Sequence, residues 1–389
     1  MPMRRRQLGI MVLGSLWAIS TPTAEAETSP GRVNLRGWVP VDLFSRLGRD
    51  PLTTLELTGP FVLERQPFPG GTWRLHVHHQ QLFLTGPGQP RRYQGSLWLQ
   101  GGELRSPSGE RQRYRGLLQI RPEAADQMRL INWVELEEYL WGLVPSEMPP
   151  DWPAAALQAQ AILARTLALP YLQPRLGVDL PEGSRLRDST ADQVYGGLTY
   201  ETAATTAAVR STQGQILIDP RDGQPIAALF HSTCGGHTSA NQDIFAPPAH
   251  PYLQGVVCEW CRDSPFYGPY TVQVTATDLE QALGSSDLQV VQSDPWGRPL
   301  RIRVGSRIWD GQTFGLRLGQ TLGWGILPSN RFTLEQPPEG SRQYSFTYRG
   351  AGHGVGLCQW GSRGIAEQGY TAQHILNHYF PGVRLTQTR

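Results

Sequence analysis

The run Asn132–Leu169, NWVELEEYLWGLVPSEMPPDWPAAALQAQAILARTLAL, constrains this chain more than any other stretch. Leu136, Tyr139, Leu140 and Leu143 recur at i, i+3, i+4 and i+7, the spacing of an amphipathic helix. Gly142 and Pro145 are expected to stop that helix. Asp151 is the expected N-cap of a second helix, with Pro153 in its first turn and an alanine-rich body ending before Pro170. Between them lies Ser146-Glu147-Met148-Pro149, which puts one carboxylate on a stiff connection. Near the N-terminus of the second helix the macrodipole favours the ionised form of Glu147. A general acid needs the opposite, which burial against Met148 or Trp152 would supply. On local chemistry alone a helix-capping role is the more economical reading, since capping carboxylates far outnumber catalytic ones.

On either side of this run the periodicity changes. From Gly31 to Arg121 short alternating segments broken by Gly and Pro (VNLRGWVPV, TLELTG, RLHVHHQQLFLTG, YQGSLWLQ, YRGLLQI) predict antiparallel strands with one face exposed. Alternation sends His76 and His78 to one face and His79 to the other. With no Cys or carboxylate nearby in sequence, they read as surface strand residues and not as metal ligands. Downstream, a turn is predicted at Asp188–Tyr195, a helix over Tyr200–Thr212 stopped by Gly214, and strands Gln215–Asp219 and Pro225–Thr233 flanking an Asp222-Gly223 hairpin signal. Residues 270–346 read as strand-rich with a short helix near Asp278–Leu283, suited to a groove wall or a partner surface. A glycine-rich turn then precedes helices near Ser362–Gln368 and Thr371–Tyr379. The predicted class is α+β, a helical core packed on antiparallel strands with strand-rich N-terminal and inserted subdomains.

Arg4-Arg5-Arg6, the apolar Leu8–Ile19 and Ala24-Glu25-Ala26 read as an export signal over residues 1–26, with cleavage or retention as an N-terminal anchor both open. The expected location is outside the cytoplasm, in the periplasm or cell wall. A formal net charge of +2 gives no reason to expect a nucleic-acid partner. Every basic side chain other than His is Arg; the absence of lysine excludes Schiff-base chemistry and a phosphate-loop lysine.

The four cysteines, Cys234, Cys258, Cys261 and Cys358, all lie in the second half of the chain. Cys258 and Cys261 are spaced C-x2-C, which lets two thiolates grip one tetrahedral ion. Cys234 with Cys358, or with His237 in place of Cys358, completes a structural zinc site; Cys358 is favoured because it would pin the C-terminal block. Four protein ligands leave no open position for an activated water. Disulfides are the rival arrangement in an oxidising compartment. A Cys358 nucleophile paired with His353 or His374 is disfavoured, because His353 shares one glycine turn with it.

The helical run from Glu137 to Leu169 resembles the signature of the SpoIID/LytB family of peptidoglycan proteins, as does GHGVGLCQWGSRGIAEQGYTAQHILNHYFPGV from Gly352 to Val383. DSTADQVYGG (188–197) and FHSTCGGHTSA (230–240) are weaker matches, and the likeness spans roughly Arg113 to the C-terminus. It divides the chain into a signal peptide (1–26), an N-terminal β-rich region (31–121), a core (122–269), an inserted β-rich subdomain (270–346) and the C-terminal part of the core (347–389). The resemblance implies a lytic transglycosylase. Such an enzyme cleaves the MurNAc–GlcNAc bond of peptide-denuded glycan strands to 1,6-anhydro ends, with Glu147 as single acid/base. Arg165 would orient Glu147 or its loop. Gln193, Tyr195, Ser232, His353, Gln359 and Trp360 become candidate sugar contacts, the aromatic faces for stacking and the polar groups for hydroxyls and acetamides. The same family name covers modifiers that stimulate a cell-wall amidase, so a non-catalytic glycan-binding enhancer is the competing expectation. Two departures stand out: Cys358 where Ser is common, and Leu167 where an aromatic is common. Sporulation, division and wall turnover all remain open as the process served.

Overall fold

The computed structural model describes residues 37–43, 45, 52–107, 109–123, 126–178, 180–181, 184–245 and 248–388; the expected signal peptide, residues 1–26, lies outside them. The chain divides into two compact units, residues 28–217 with 385–389, and residues 218–384. The architecture is α+β.

The first unit is built on an 11-stranded sheet. Its strands are β1 (Trp38–Leu43), β2 (Thr54–Leu63), β3 (Gln66–Phe68), β4 (Thr72–His78), β5 (Gln81–Thr85), β6 (Arg91–Gln94), β7 (Leu97–Arg105), β8 (Arg111–Gln112), β9 (Leu117–Pro122) and β10 (Met128–Glu135), with β11 (Leu186–Arg187) parallel to β1. The order is β11-β1-β10-β9-β7-β2-β4-β5-β6, with β3 on β2 and β8 on β7. Strand alternation buries Leu55, Leu57, Phe61 and Leu63 of β2 with Trp73, Leu75 and Val77 of β4. His79 is not a strand residue. It and Gln80 take φ of 47° and 60° in the two-residue β4–β5 turn, whose backbone twist matches that of the flanking strands. The Asp126 carboxylate, distant in sequence, accepts the His79 N–H at 2.7 Å.

β10 runs straight into α1 (Leu136–Glu147), followed by α2 (Ala154–Ala168), α3 (Ala203–Ser211) and β12 (Gln215–Ile218). Two boundary expectations fail here. α1 continues through both Gly142 and Pro145, so Glu147 is its last residue and does not stand at the N-terminus of α2. Gly142 is a contact point: the Gly196–Gly197 turn lies against it, and the Gly142 carbonyl accepts from Gly196 N–H at 3.2 Å and from the Ser146 hydroxyl at 2.9 Å. Pro145, near the C-terminal end, forfeits one backbone bond without ending the helix. α2 starts at Ala154 after Pro153, with no side-chain cap, so Asp151 does not cap it. Most of α2 is buried, including Arg165.

The second unit contains β13 (Phe230–His231), α4 (Asn241–Ile244), β14 (Tyr270–Thr275), α5 (Ala276–Leu283), β15 (Leu288–Ser293), β16 (Pro299–Val304), β17 (Arg307–Asp310), α6 (Gly311–Leu322), β18 (Phe332–Glu335), β19 (Gln343–Tyr348), β20 (Leu357–Cys358), α7 (Gln359–Glu367) and α8 (Ala372–Tyr379). The last strand, β21 (Arg384–Gln387), returns to pair with β12. The sheets β14-β19-β18 and β15-β16-β17 share one core with α5 and α6, centred on Leu279, Phe314, Phe332 and Phe346. Helix α6 is not legible in the periodicity because Gly311, Gly315 and Gly319 interrupt it. Those at 311 and 319 admit Pro299 and Trp324 at distances no Cβ would allow. The Asp222-Gly223 turn forms, but Phe230–His231 pairs in parallel with Leu357–Cys358 and does not run back along β12.

A Cβ at Gly142 would stand 2.7 Å from the Gly197 carbonyl oxygen. Helix propensity alone would make Gly142→Ala stabilising by about 1 kcal/mol. The clash with backbone reverses the sign, and the expected outcome is a loss of about 1–3 kcal/mol, read from urea unfolding midpoints.

Candidate functional site

In the first unit Glu147, half-buried at the end of α1, accepts the Val194 N–H on Oε1 at 2.5 Å. The negative end of the α1 macrodipole opposes the ionised carboxylate while this N–H supports it, so the local field differs from that at a helix N-terminus. The flanking side chains turn inward. Gln193 is fully buried and donates to the Tyr139 hydroxyl at 3.4 Å, with its own Oε1 lacking a hydrogen-bond partner. Tyr195 is 1% exposed, donates to Asn132 Oδ1 at 2.9 Å, and packs against the rings of Tyr114 and Tyr139. No face of Tyr195 is open to a sugar, which corrects the stacking role expected of it. Burial pushes the Tyr139 phenol well up, with Asp192, Tyr195 and Glu147 adding to the effect.

Arg165 does not reach Glu147. It makes a two-pronged pair with Glu137 at 2.7 and 2.9 Å and donates to the carbonyls of Gln215 and Val209 at 3.1 and 3.3 Å. It therefore ties the start of α1 to α2, the end of α3 and β12. The two other carboxylates near the Asp188–Tyr195 turn are engaged as well. Asp188 is fully buried and accepts the Ser45 N–H at 3.0 Å, and Asp192 forms a two-pronged pair with Arg187 at 2.7 and 3.1 Å.

The second unit gathers Ser232, His353, Gln359 and Trp360 around the β13–β20 pair. The Ser232 carbonyl accepts the Trp360 N–H at 3.1 Å, and Arg363 lies over the Trp360 ring at 5.0 Å. Gln359 and Ser232 are buried, while Trp360 is partly exposed. His353 Nε2 meets the Phe230 carbonyl at 2.9 Å and its Nδ1 the Val355 N–H at 3.1 Å, the pattern of a neutral ring donating from Nε2. Burial pushes it down to about 4. These bonds also leave His353 occupied away from Cys358. Sequence reasoning missed Arg298, 1% exposed in the Asp294–Arg298 turn, which donates to Asn330 and to the His353 carbonyl beneath the glycine loop. Burial lowers it to about 10, with Asp294 opposing.

The four cysteine sulfurs lie within 4.8 Å of one another, all buried. The Cys234–Cys261 sulfurs are 3.5 Å apart, far beyond a disulfide bond, and all four thiols are free. His237 stands outside this group, its ring stacked on Trp296 at 3.8 Å. Backbone N–H groups aim at the sulfurs: Cys234 and Gly361 N–H at Cys358 Sγ, both 3.3 Å, and Gly236 N–H at Cys234 Sγ, 3.4 Å. The Tyr379 hydroxyl is 3.1 Å from Cys258 Sγ. Donors converging on buried sulfur suit thiolates gathered around a cation, so these residues fit one metal ion. Without it, hydrogen bonds from the other three thiols hold Cys261 far down while burial pushes Cys234 and Cys358 up. Among the described residues no helix is long and apolar enough to cross a membrane.

The profile of a family described as "Stage II sporulation protein" matches residues 124–218. The stage II sporulation protein D of Bacillus subtilis is 34% identical, the alignment covering 65% of this chain and 75% of that protein. An uncharacterized protein of Brachyspira hyodysenteriae is 32% identical over 66% of this chain and 68% of its own length. The amidase enhancer of Bacillus subtilis is 25% identical over 64% of this chain and 40% of its own.

An imidazole that titrates at about 4 in the fold, against 6.5 normally, leaves the unfolded chain holding more protons between those values. Its contribution to stability is fully present above about 6.5 and fades as pH falls toward about 4. Buried His231 shifts in the same direction. Comparing unfolding midpoints at pH 7 and pH 5, the wild type should lose more than His353→Gln does; equal losses would contradict this assignment.

Proposed function

Because the chain belongs to the stage II sporulation protein D family, we propose that it acts in the cell wall as a peptidoglycan lytic transglycosylase with Glu147 as its single acid/base group. Glu147 protonates the glycosidic oxygen between MurNAc and GlcNAc as the C1–O bond breaks. The sugar's own C6 hydroxyl closes onto C1, and its proton passes to Glu147, leaving a 1,6-anhydro end and restoring the acid. The observation that carries this reading is a half-buried carboxylate with a backbone N–H on it, beside two aspartates already engaged by Ser45 and Arg187. A hydrolase of either stereochemistry normally needs a second carboxylate at work. In this reading the partly exposed Trp360 offers an aromatic face for a sugar within the second unit, and Ser232, His353 and Gln359 hold the backbone around it. Arg165 supports α1, and Gln193 and Tyr195 support the Val194 amide. The substrate is an exported wall's glycan strand, freed of stem peptides.

The amidase enhancer among the relatives favours a second reading, a glycan-binding stimulator of a cell-wall amidase without chemistry of its own. The purified chain incubated alone with denuded glycan separates the two. Release of anhydro-ended fragments marks the enzyme, and Glu147→Gln should cut that release by about 10²–10⁴-fold. Products that have gained water would point to hydrolysis.

The cysteine cluster is proposed as a structural zinc site. Four Zn–S bonds of about 2.3 Å set sulfurs about 3.8 Å apart, within the span of the four sulfurs. The ion would tie β13, the Cys258–Cys261 loop and the start of α7 together. Metal analysis of the purified chain should find about one zinc per chain, with Cys261→Ser losing it and lowering the melting temperature. A full complement of zinc in that variant would remove the assignment.

A further inference from the structure

We infer that Tyr195 and Asn132 are positioning residues for Glu147, a pair that holds the 193–195 segment so that the Val194 N–H meets the carboxylate. This rests on the reading of Glu147 as the acid/base group, and it gives a mechanical role to a tyrosine whose ring cannot touch substrate.

Asn132 lies on β10, four residues before α1, and is fully buried. Its amide nitrogen donates to the carbonyls of Arg115 at 2.9 Å and Leu117 at 3.4 Å. Only donors face carbonyl oxygens, so the amide orientation is dictated and Oδ1 is left to accept the Tyr195 hydroxyl at 2.9 Å. Asn132 is thus a saturated group fixed by the sheet. Tyr195 is fixed in turn by that bond and by the Tyr114 and Tyr139 rings at 5.9 and 5.0 Å. On the other side of Val194, Gln193 donates to Tyr139. The backbone is tied as well: Tyr195 N–H to Asp188 O at 3.5 Å, and Gly196 N–H to Gly142 O at 3.2 Å. Gln193 and Tyr195 point inward with Val194 half-exposed between them. The amide that reaches Glu147 is therefore set between two buried anchors, one of which reads its position from the sheet and the other from α1.

A phenylalanine at 195 would fill the same space, so packing alone does not require the hydroxyl. Removing it strands Asn132 Oδ1 without a donor and frees the segment to shift. Glu147 then loses its backbone donor, and its protonated form becomes easier to populate. The Tyr139 phenol, on the same helix, feels the charge of Glu147 and also those of Asp192 (paired with Arg187), Tyr195 and Tyr171.

The test compares Tyr195→Phe, Asn132→Ala, the double variant and the core truncation Leu118→Ala, all in the full chain. Two readouts apply: the titration of the Glu147 carboxyl by NMR with labelled glutamate, assigned through Glu147→Gln, and kcat and KM on denuded glycan. Expected are an upward move of the Glu147 midpoint and a kcat about tenfold to a hundredfold lower at unchanged KM in both single variants, with the double variant no worse than either. Leu118→Ala should lower stability and move neither readout. Unmoved midpoint and kcat in Tyr195→Phe, or equal movement in Leu118→Ala, overturns the inference. If Tyr195→Phe moves the midpoint while Glu147→Gln leaves glycan release intact, the positioning pair stands and the acid/base reading of Glu147 falls.

Discussion

A guanidinium taken wholly out of water has to find partners for its N–H groups inside the protein, or its burial is prohibitively costly. Arg165, 0% exposed on α2, solves this by drawing four elements together. Glu137 from α1 offers both carboxylate oxygens, the end of α3 offers the Val209 carbonyl and β12 the Gln215 carbonyl. Its neighbour Thr166 accepts the Leu217 N–H at 3.1 Å, so two adjacent residues of one helix set where β12 begins. Glu137 stands at the first turn of α1 and Glu147 at its last residue, about 15 Å apart along the axis. The helix is thus anchored at one end by charge, in the middle by the Gly142 contact, and at the other end by the Val194 amide. Wherever chemistry is done at Glu147, it is done from a rod held at three points.

How much of this was legible in the sequence varies with the kind of interaction. Apolar spacing located α1 and α2 correctly, because burying one face is what makes those residues helical. Their boundaries failed where a residue with a local meaning had a tertiary one: Gly142 reads as a terminator but serves as a place where another backbone comes close. α6 failed for the same reason, its glycines being docking surfaces inside a helix that Asp310 caps. Arg165 stood out as a charge in an apolar run, yet its partner is 28 positions away and nothing in the spacing singles out Glu137 over Glu147. Asn132 carried the same signal, a polar side chain in the inward pattern of β10, and went unread. Tyr195 misled because an aromatic in a motif suggests a platform, whereas its hydroxyl is its working part.

The second unit shows a related division. C-x2-C spacing is short enough to be visible, and it pointed to a shared cation; the sequence left Cys358 and His237 as rival partners for Cys234 and favoured Cys358, and the fold gathers Cys358 with the other three. The parallel pairing of Phe230–His231 with Leu357–Cys358 is what brings them in, and no hairpin signal forecasts it. The glycine loop behind Cys358 rests on Arg298, a cation with Asp294 nearby and Asn330 as its bonded neighbour, which lies in the segment read as an insertion. That segment is therefore bonded to the glycine loop that follows it in the chain.

Cys358 has two occupations. Its sulfur belongs to the buried cluster, and it also stands at the N-cap of α7, accepting the Gly361 N–H. A serine hydroxyl at the same place would perform the capping task at least as well. The helix start is thus indifferent to which of the two atoms it receives. An exchange of oxygen for sulfur at this one position would add or remove one of the four clustered thiols while the register of α7 stayed put.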